Sequence, residues 1–129
     1  MKKEGVNWSL TYDDGVVIGE FGQGMKLEAF EEEVYPAFEE ILAAHEHDIV
    51  ATADHVRISD PFSRDIFEVW EEAARESATL PNYERAALTA AGIKAISLRG
   101  KLSIPEAEFR TFNDHETAIE WARTGRLNE

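Results

Sequence analysis

Residues 6–21 read V-N-W-S-L-T-Y-D-D-G-V-V-I-G-E-F, and this stretch decides the fold class of the chain. Apolar and polar side chains alternate along its first half, which is the period of a strand with one buried face. Asp13–Gly15 then contains an Asp-Gly pair, a strong signal for the tight turn between two antiparallel strands. The stretch therefore predicts a β-hairpin with strands over residues 6–11 and 16–21.

Helix and strand patterns alternate after this hairpin. Apolar residues recur every three or four positions over residues 26–45, which predicts a helix that Pro36 kinks or splits. A short β-branched run predicts a strand within residues 48–58. A second helix then begins, with Asp60 as its N-cap and Pro61 at its first helical position.

The last third of the chain adds two strands and two helices. Residues 85–90 and 109–112 are the predicted strands, and residues 93–102 are a short helix between them. Asn113 is expected to cap the final helix, with Glu116 completing a capping box. The order β-β-α-β-α-β-α-β-α predicts one α/β domain over all 129 residues, with a mixed sheet of about five strands carrying four helices.

Composition and charge narrow the range of functions. The chain has a mass of 14.5 kDa and 43% hydrophobic residues, which is enough for one buried core. Its 26 acidic residues outnumber its 13 basic ones and give a net charge of −13, which disfavours nucleic acids and anionic membranes as partners. The acidity is typical of either an ordinary acidic cytosolic protein or a halophilic one.

The sequence also predicts a cytoplasmic protein. It contains no cysteine, so disulfides and thiolate metal sites are excluded. The first residues turn acidic before any apolar run, unlike a signal peptide. No apolar stretch is long enough for a transmembrane helix, and we therefore expect no membrane span.

Three motifs in the last third carry a family resemblance. Residues 84–89 read E-R-A-A-L-T, residues 108–113 read E-F-R-T-F-N, and residues 118–122 read A-I-E-W-A. Together with the predicted element order, they resemble the SpoIIAA-like branch of the STAS domain family, also described as STAS–SEC14. The resemblance covers roughly residues 6 to 124. It implies a STAS fold and a non-enzymatic regulatory or interaction module without catalytic residues or cofactors.

The resemblance also implies a protein partner. In STAS antagonists, a serine at the start of the helix after the third strand is phosphorylated to control partner binding. The corresponding run here lacks the glycine of that pattern. The candidate partner- or phosphate-binding residues are Ser59, Asp60, Phe62, Ser63 and Arg64. A helix N-terminus stabilises a phosphate, and Arg64 could pair with it, but Ser59, Asp60 and Ser63 also suit ordinary helix capping.

An apolar ligand is the alternative, because SpoIIAA-like proteins are suspected of binding lipids or other apolar molecules. Aromatic side chains are numerous for so small a core and could widen the apolar face of a helix into a ligand groove or a homodimer surface. Core packing alone also explains these aromatic residues. The candidate ligand-lining residues are Phe30, Ala37, Phe38, Phe67 and Trp70.

Three of the four histidines suggest a more remote alternative, a metal-dependent enzyme. His45, His47 and His55 lie near several carboxylates, and such side chains bind zinc or nickel. However, residues 45 and 47 would diverge by about 200° on a helix. Histidines in a last helical turn also complement the helix dipole without a metal. We therefore expect no metal site and no enzymatic activity.

Overall fold

Six strands form one mixed sheet in the part of the chain that the structure, a computed structural model, describes. The described residues are 2–22, 27–56, 68, 72–73, 75–77, 79–90 and 108–125. The strands are β1 (Lys2–Gly5), β2 (Trp8–Asp13), β3 (Val16–Phe21), β4 (Ala51–Val56), β5 (Arg85–Ala90) and β6 (Glu108–Phe112). They lie side by side in chain order; β1, β2 and β3 are antiparallel, and β3 to β6 are parallel. The expected α/β class with a mixed sheet is confirmed.

The predicted hairpin is formed by β2 and β3. Asp14 and Gly15 both have positive φ values, 47° and 87°, as a two-residue hairpin turn requires. The Gly15 carbonyl oxygen accepts a hydrogen bond of 2.8 Å from the backbone N–H of Val50, just before β4. The turn therefore closes the hairpin and also fixes where the first parallel strand begins.

Strand β1 was not expected, so the predicted count of about five strands is too low. Lys2 to Gly5 carry no alternating apolar residues, and the strand is held at the edge by backbone pairing with β2. A second turn at Val6 and Asn7 joins the two strands, with Asn7 at a φ of 66°. Val6 is 81% exposed there, so its expected place in a buried strand face is wrong.

The helix predicted after the hairpin is present, with an irregular turn before Pro36. It comprises α1 (Leu27–Ala29), a π-helical segment (Phe30–Val34) and α2 (Tyr35–Ala44). The Tyr35 N–H donates to the Phe30 carbonyl, five residues back. Since Pro36 has no N–H to donate and its ring crowds the preceding turn, the wider π turn accommodates the proline without ending the helix.

Helices cover both faces of the sheet. On one face, α2 packs over large apolar side chains of the strands; the buried cluster includes Trp8, Leu10, Phe21, Phe30, Phe38, Ile41 and Leu88. On the other face, the C-terminal helix α3 (His115–Thr124) packs over small side chains; this cluster contains Val16, Ala51, Ala53, Ala87, Ala118, Trp121 and Ala122. The two faces therefore bury side chains of very different size.

The remaining predicted elements are tested in part. Residues 68, 72–73 and 75–77 are helical, in agreement with the second predicted helix. The Tyr35 hydroxyl donates to the Glu76 carboxylate at 2.6 Å and so joins this helix to α2.

Strand β5 has its predicted bounds, and β6 begins one residue early. The predicted Asp60 cap, Pro61 and the helix over 93–102 lie outside the described residues.

A buried polar pair links β4 to the segment before β5. The hydroxyls of Thr52 and Tyr83 lie 2.7 Å apart, and both residues are less than 10% exposed. Burial raises the pKa of the Tyr83 phenol, which therefore stays neutral. Each hydroxyl is the hydrogen-bond partner of the other on the face of the sheet that α2 covers.

Replacing Tyr83→Phe is expected to lower the free energy of unfolding by about 1–3 kcal/mol, because the buried Thr52 hydroxyl loses its partner. The double variant Thr52→Val with Tyr83→Phe should lose less than the sum of the two single variants, since no unpaired hydroxyl remains. Urea denaturation of the four proteins measures this coupling. Additive losses would show that the two hydroxyls do not interact.

Candidate functional site

Polar side chains lie together where the parallel strands end. Ligands of α/β sheets commonly bind outside the carboxyl ends of the strands. Glu20, His55 and Thr89 are each the penultimate residue of β3, β4 and β5, and the register pairs Glu20 with His55 and His55 with Thr89. Because neighbours in register point to the same face, the three side chains form a row across the sheet.

This row lies on the face that α3 covers. Val16 and Ala51 pack in the α3 cluster, and side chains two or four residues further along a strand share the same face. His115 is the first residue of α3, and its ring centroid lies 4.7 Å from that of His55. The helix thus brings a second imidazole to the carboxyl edge of the sheet.

Glu20, His55 and His115 form a compact cluster, called here the carboxyl-edge cluster. One ligand-capable atom from each residue lies within 4.8 Å of the other two, and all three side chains are partly buried. Two imidazole nitrogens and a carboxylate oxygen are a donor set that suits divalent transition metals. Beside His55, the Thr89 hydroxyl is buried and makes no hydrogen bond within the described part of the chain.

The helix that carries His115 is capped by Asp114, so the expected Asn113 cap is wrong. The Asp114 carboxylate accepts hydrogen bonds from the Thr117 N–H at 3.0 Å and the Thr117 hydroxyl at 2.7 Å. Since the helix begins one residue later than expected, Thr117 takes the place in the cap that Glu116 was expected to fill. These two hydrogen bonds, and more weakly His115, lower the pKa of Asp114.

The structure does not bring together His45, His47 and His55, the three histidines of the remote metal-site alternative. His45 follows α2 and stacks on Tyr12, with ring centroids 3.7 Å apart and planes 7° from parallel. His47 lies exposed in the same turn, ahead of β4. His55 is four residues into β4, about 13 Å along the strand from Ala51. Two histidines therefore lie at the amino edge of the sheet and one at the carboxyl edge.

The other candidate residues fall into two groups. Phe30, Ala37 and Phe38 are buried in the core beneath the π segment and α2, with 2%, 9% and 8% of their surface exposed. The rest lie outside the described residues: Ser59, Asp60, Phe62, Ser63, Arg64, Phe67 and Trp70.

Sequence reasoning missed Glu20 and His115 as site residues. A signal was present, since Glu20 falls near the end of a predicted strand, as His55 does. His115 lies three residues after the end of the last predicted strand. Because parallel strands end at a common edge, these positions converge once the sheet is assembled. The sequence alone does not reveal the cluster, because its successive members lie 35 and 60 residues apart in the chain.

The fold and the cluster define an α/β domain with a six-stranded mixed sheet and a polar site at its carboxyl edge. No family model matches this chain, and no curated protein matches it either. In the described part of the chain, no helix has the length and apolar character needed to cross a membrane.

Replacing Asp114→Ala should lower the thermal unfolding temperature at pH 7, because α3 loses its N-terminal cap. The folded-state pKa of Asp114 is below the ordinary value of 3.8, so its contribution is complete above 3.8 and is lost as the pH falls through the lower, folded value. The stability difference from the wild type should therefore shrink in acid. Asn113→Ala, the matched control, should have little effect; a larger loss for Asn113→Ala would contradict this capping.

Proposed function

We propose that the chain is a non-enzymatic regulatory or interaction domain of the SpoIIAA-like STAS type, which binds a protein partner at the carboxyl edge of its sheet. The observation that carries the proposal is the position of β4, which ends at this edge beside the carboxyl-edge cluster. The candidate binding segment, residues 59–64, follows β4 in the sequence. An antiparallel meander leading into parallel strands with a helix between them supports the STAS-like assignment.

The described part of this edge also has an exposed apolar group. Val6 lies at the tip of the turn between β1 and β2. The Gly22 N–H donates to the Asn7 carbonyl at 2.7 Å, which fixes this turn beside the end of β3. In a complex with a protein partner, Val6 would supply an apolar contact within a polar rim.

Charge indicates the kind of partner. The chain has a net charge of −13, and complementary potentials accelerate association and exclude partners of like charge. We therefore expect the partner to present a basic surface, and its association to slow as salt is added.

The alternative function, a carrier of an apolar molecule, has less support. Phe30, Ala37 and Phe38 were expected to line its groove, but all three pack against other core residues. Side chains that fill the core cannot also enclose a ligand unless the core opens. A surface that binds a protein requires no such rearrangement.

Two matched pairs of variants test the proposal. Val6→Asp alters the exposed turn at the carboxyl edge, and Ala43→Asp places the same charge at an exposed position of α2 near the amino edge. Ser63→Glu alters the candidate binding segment, and Thr79→Glu adds the same charge at an exposed position before β5, where it also removes the hydrogen bond from the Thr79 hydroxyl to the Glu76 carbonyl. Tagged proteins are purified from the native host, and the co-purifying partner is quantified and titrated directly.

The first variant of each pair should weaken partner binding at least about tenfold, which is 1.4 kcal/mol, while its control binds as the wild type does. Thermal unfolding of Val6→Asp and Ala43→Asp should remain close to that of the wild type, since changes at exposed positions have small effects. Equal binding by every variant would refute the carboxyl-edge assignment. A stoichiometric lipid in an organic extract of the purified protein would instead support the carrier.

A further inference from the structure

We propose that the carboxyl-edge cluster binds a divalent transition-metal ion through Glu20, His55 and His115. The proposal does not depend on a protein partner, because the three side chains come from this chain alone. β3 supplies Glu20, β4 supplies His55, and α3 supplies His115. A metal held there joins two neighbouring strands to the helix that covers them.

The distances suit a metal after small side-chain movements. Zinc lies about 2.0–2.1 Å from its nitrogen and oxygen ligands, so tetrahedral ligand atoms are about 3.3 Å apart. The ligand-capable atoms of the cluster already lie within 4.8 Å of one another. The required approach, at most about 1.5 Å, is within the reach of rotation about the side-chain torsions of Glu20 and His115.

The donor types indicate which metals fit. Magnesium and calcium favour sites made of oxygen ligands, whereas imidazole suits zinc, copper, iron and nickel. Two imidazoles and one carboxylate supply three ligands and leave a fourth position open. Thr89, the register neighbour of His55, places a buried hydroxyl with no hydrogen bond in the described structure next to the cluster. That hydroxyl is available to a water or small anion in the open position.

The surroundings of the cluster favour a cation. Asp114, the N-cap of α3, directly precedes His115, so the chain places a further carboxylate beside the helix residue of the cluster. The whole chain is also strongly acidic. The negative potential of an acidic chain raises the local concentration of cations. The imidazole ligands distinguish the cluster from the many surface carboxylates.

The test is a calorimetric titration of the full chain with Zn²⁺, after chelator treatment and dialysis. Salt at 1 M reduces the Debye length to about 3 Å and suppresses weak binding by scattered carboxylates. We expect one ion per chain, with His55→Ala and Glu20→Gln each weakening the affinity at least about tenfold. His47→Ala is the matched control, because His47 is exposed at the opposite edge and should leave the affinity unchanged.

A second measurement needs no variant. In the wild-type chain, NMR of the four histidine rings during Zn²⁺ addition should show His55 and His115 shifting together at one equivalent, with His45 and His47 unchanged. Failure of the wild type to bind Zn²⁺, equal affinity in His55→Ala and His47→Ala, or shifts at His45 and His47 instead would each overturn the proposal. Partner binding and Zn²⁺ binding are measured in separate experiments. Failure of the proposed function would therefore leave Zn²⁺ binding intact, and failure of the metal site would leave partner binding intact.

Discussion

Close packing of α3 against an alanine-rich face of the sheet is the constraint on which the candidate site depends. Ala51, Ala53 and Ala87 on the strands meet Ala118 and Ala122 on the helix, and all five are at most 2% exposed. Small side chains allow a helix to lie near a sheet without a gap, and interiors are packed to high density. Larger residues on this face would lift α3 and move His115 away from His55.

Both ends of α3 are held in place. At the N-terminus, Asp114 caps the first turn. At the C-terminus, the Arg85 guanidinium donates to the Ala122 carbonyl at 2.9 Å, and Gly125 ends the helix with a φ of 73°. Gly125 also lies against Arg85, since a Cβ there would come within 2.9 Å of the guanidinium. Rotation or sliding of the helix is therefore restricted, which fixes the position of His115.

The candidate site also depends on the pairing register of β3 and β4. This register is set at the amino edge of the sheet, opposite the site. A slip of one residue between β3 and β4 would turn either Glu20 or His55 to the other face. The Gly15 carbonyl accepts from the N–H groups of Val50 and Ala51, so the hairpin turn holds the beginning of β4. A local turn signal in the sequence thereby determines which side chains meet about 13 Å away.

Sequence patterns predicted the elements better than their contacts. The hairpin, β4, β5 and the final helix were predictable because each has a local signal, such as Asp-Gly or an apolar period. Strand β1 has no such signal, and it is placed by backbone pairing with β2 and by the ion pair between Lys3 and Glu40. The carboxyl-edge cluster escaped prediction because Glu20 and His115 lie far apart in the chain and become neighbours only through register and helix packing.

The row at the carboxyl edge departs from the pattern of the face to which it belongs. Along β3, β4 and β5, the positions facing α3 include Val16, Ala53 and Ala87, and each strand then changes to a polar residue at its penultimate position. A core of this kind is completed most simply by further apolar side chains. A single polar residue among these apolar positions would be ordinary. Three neighbouring strands, however, each have one at paired register positions, and α3 adds His115 beside them. Local rules of packing are most often broken where a protein binds something, and this shared change is the strongest physical reason to look for a ligand at this edge.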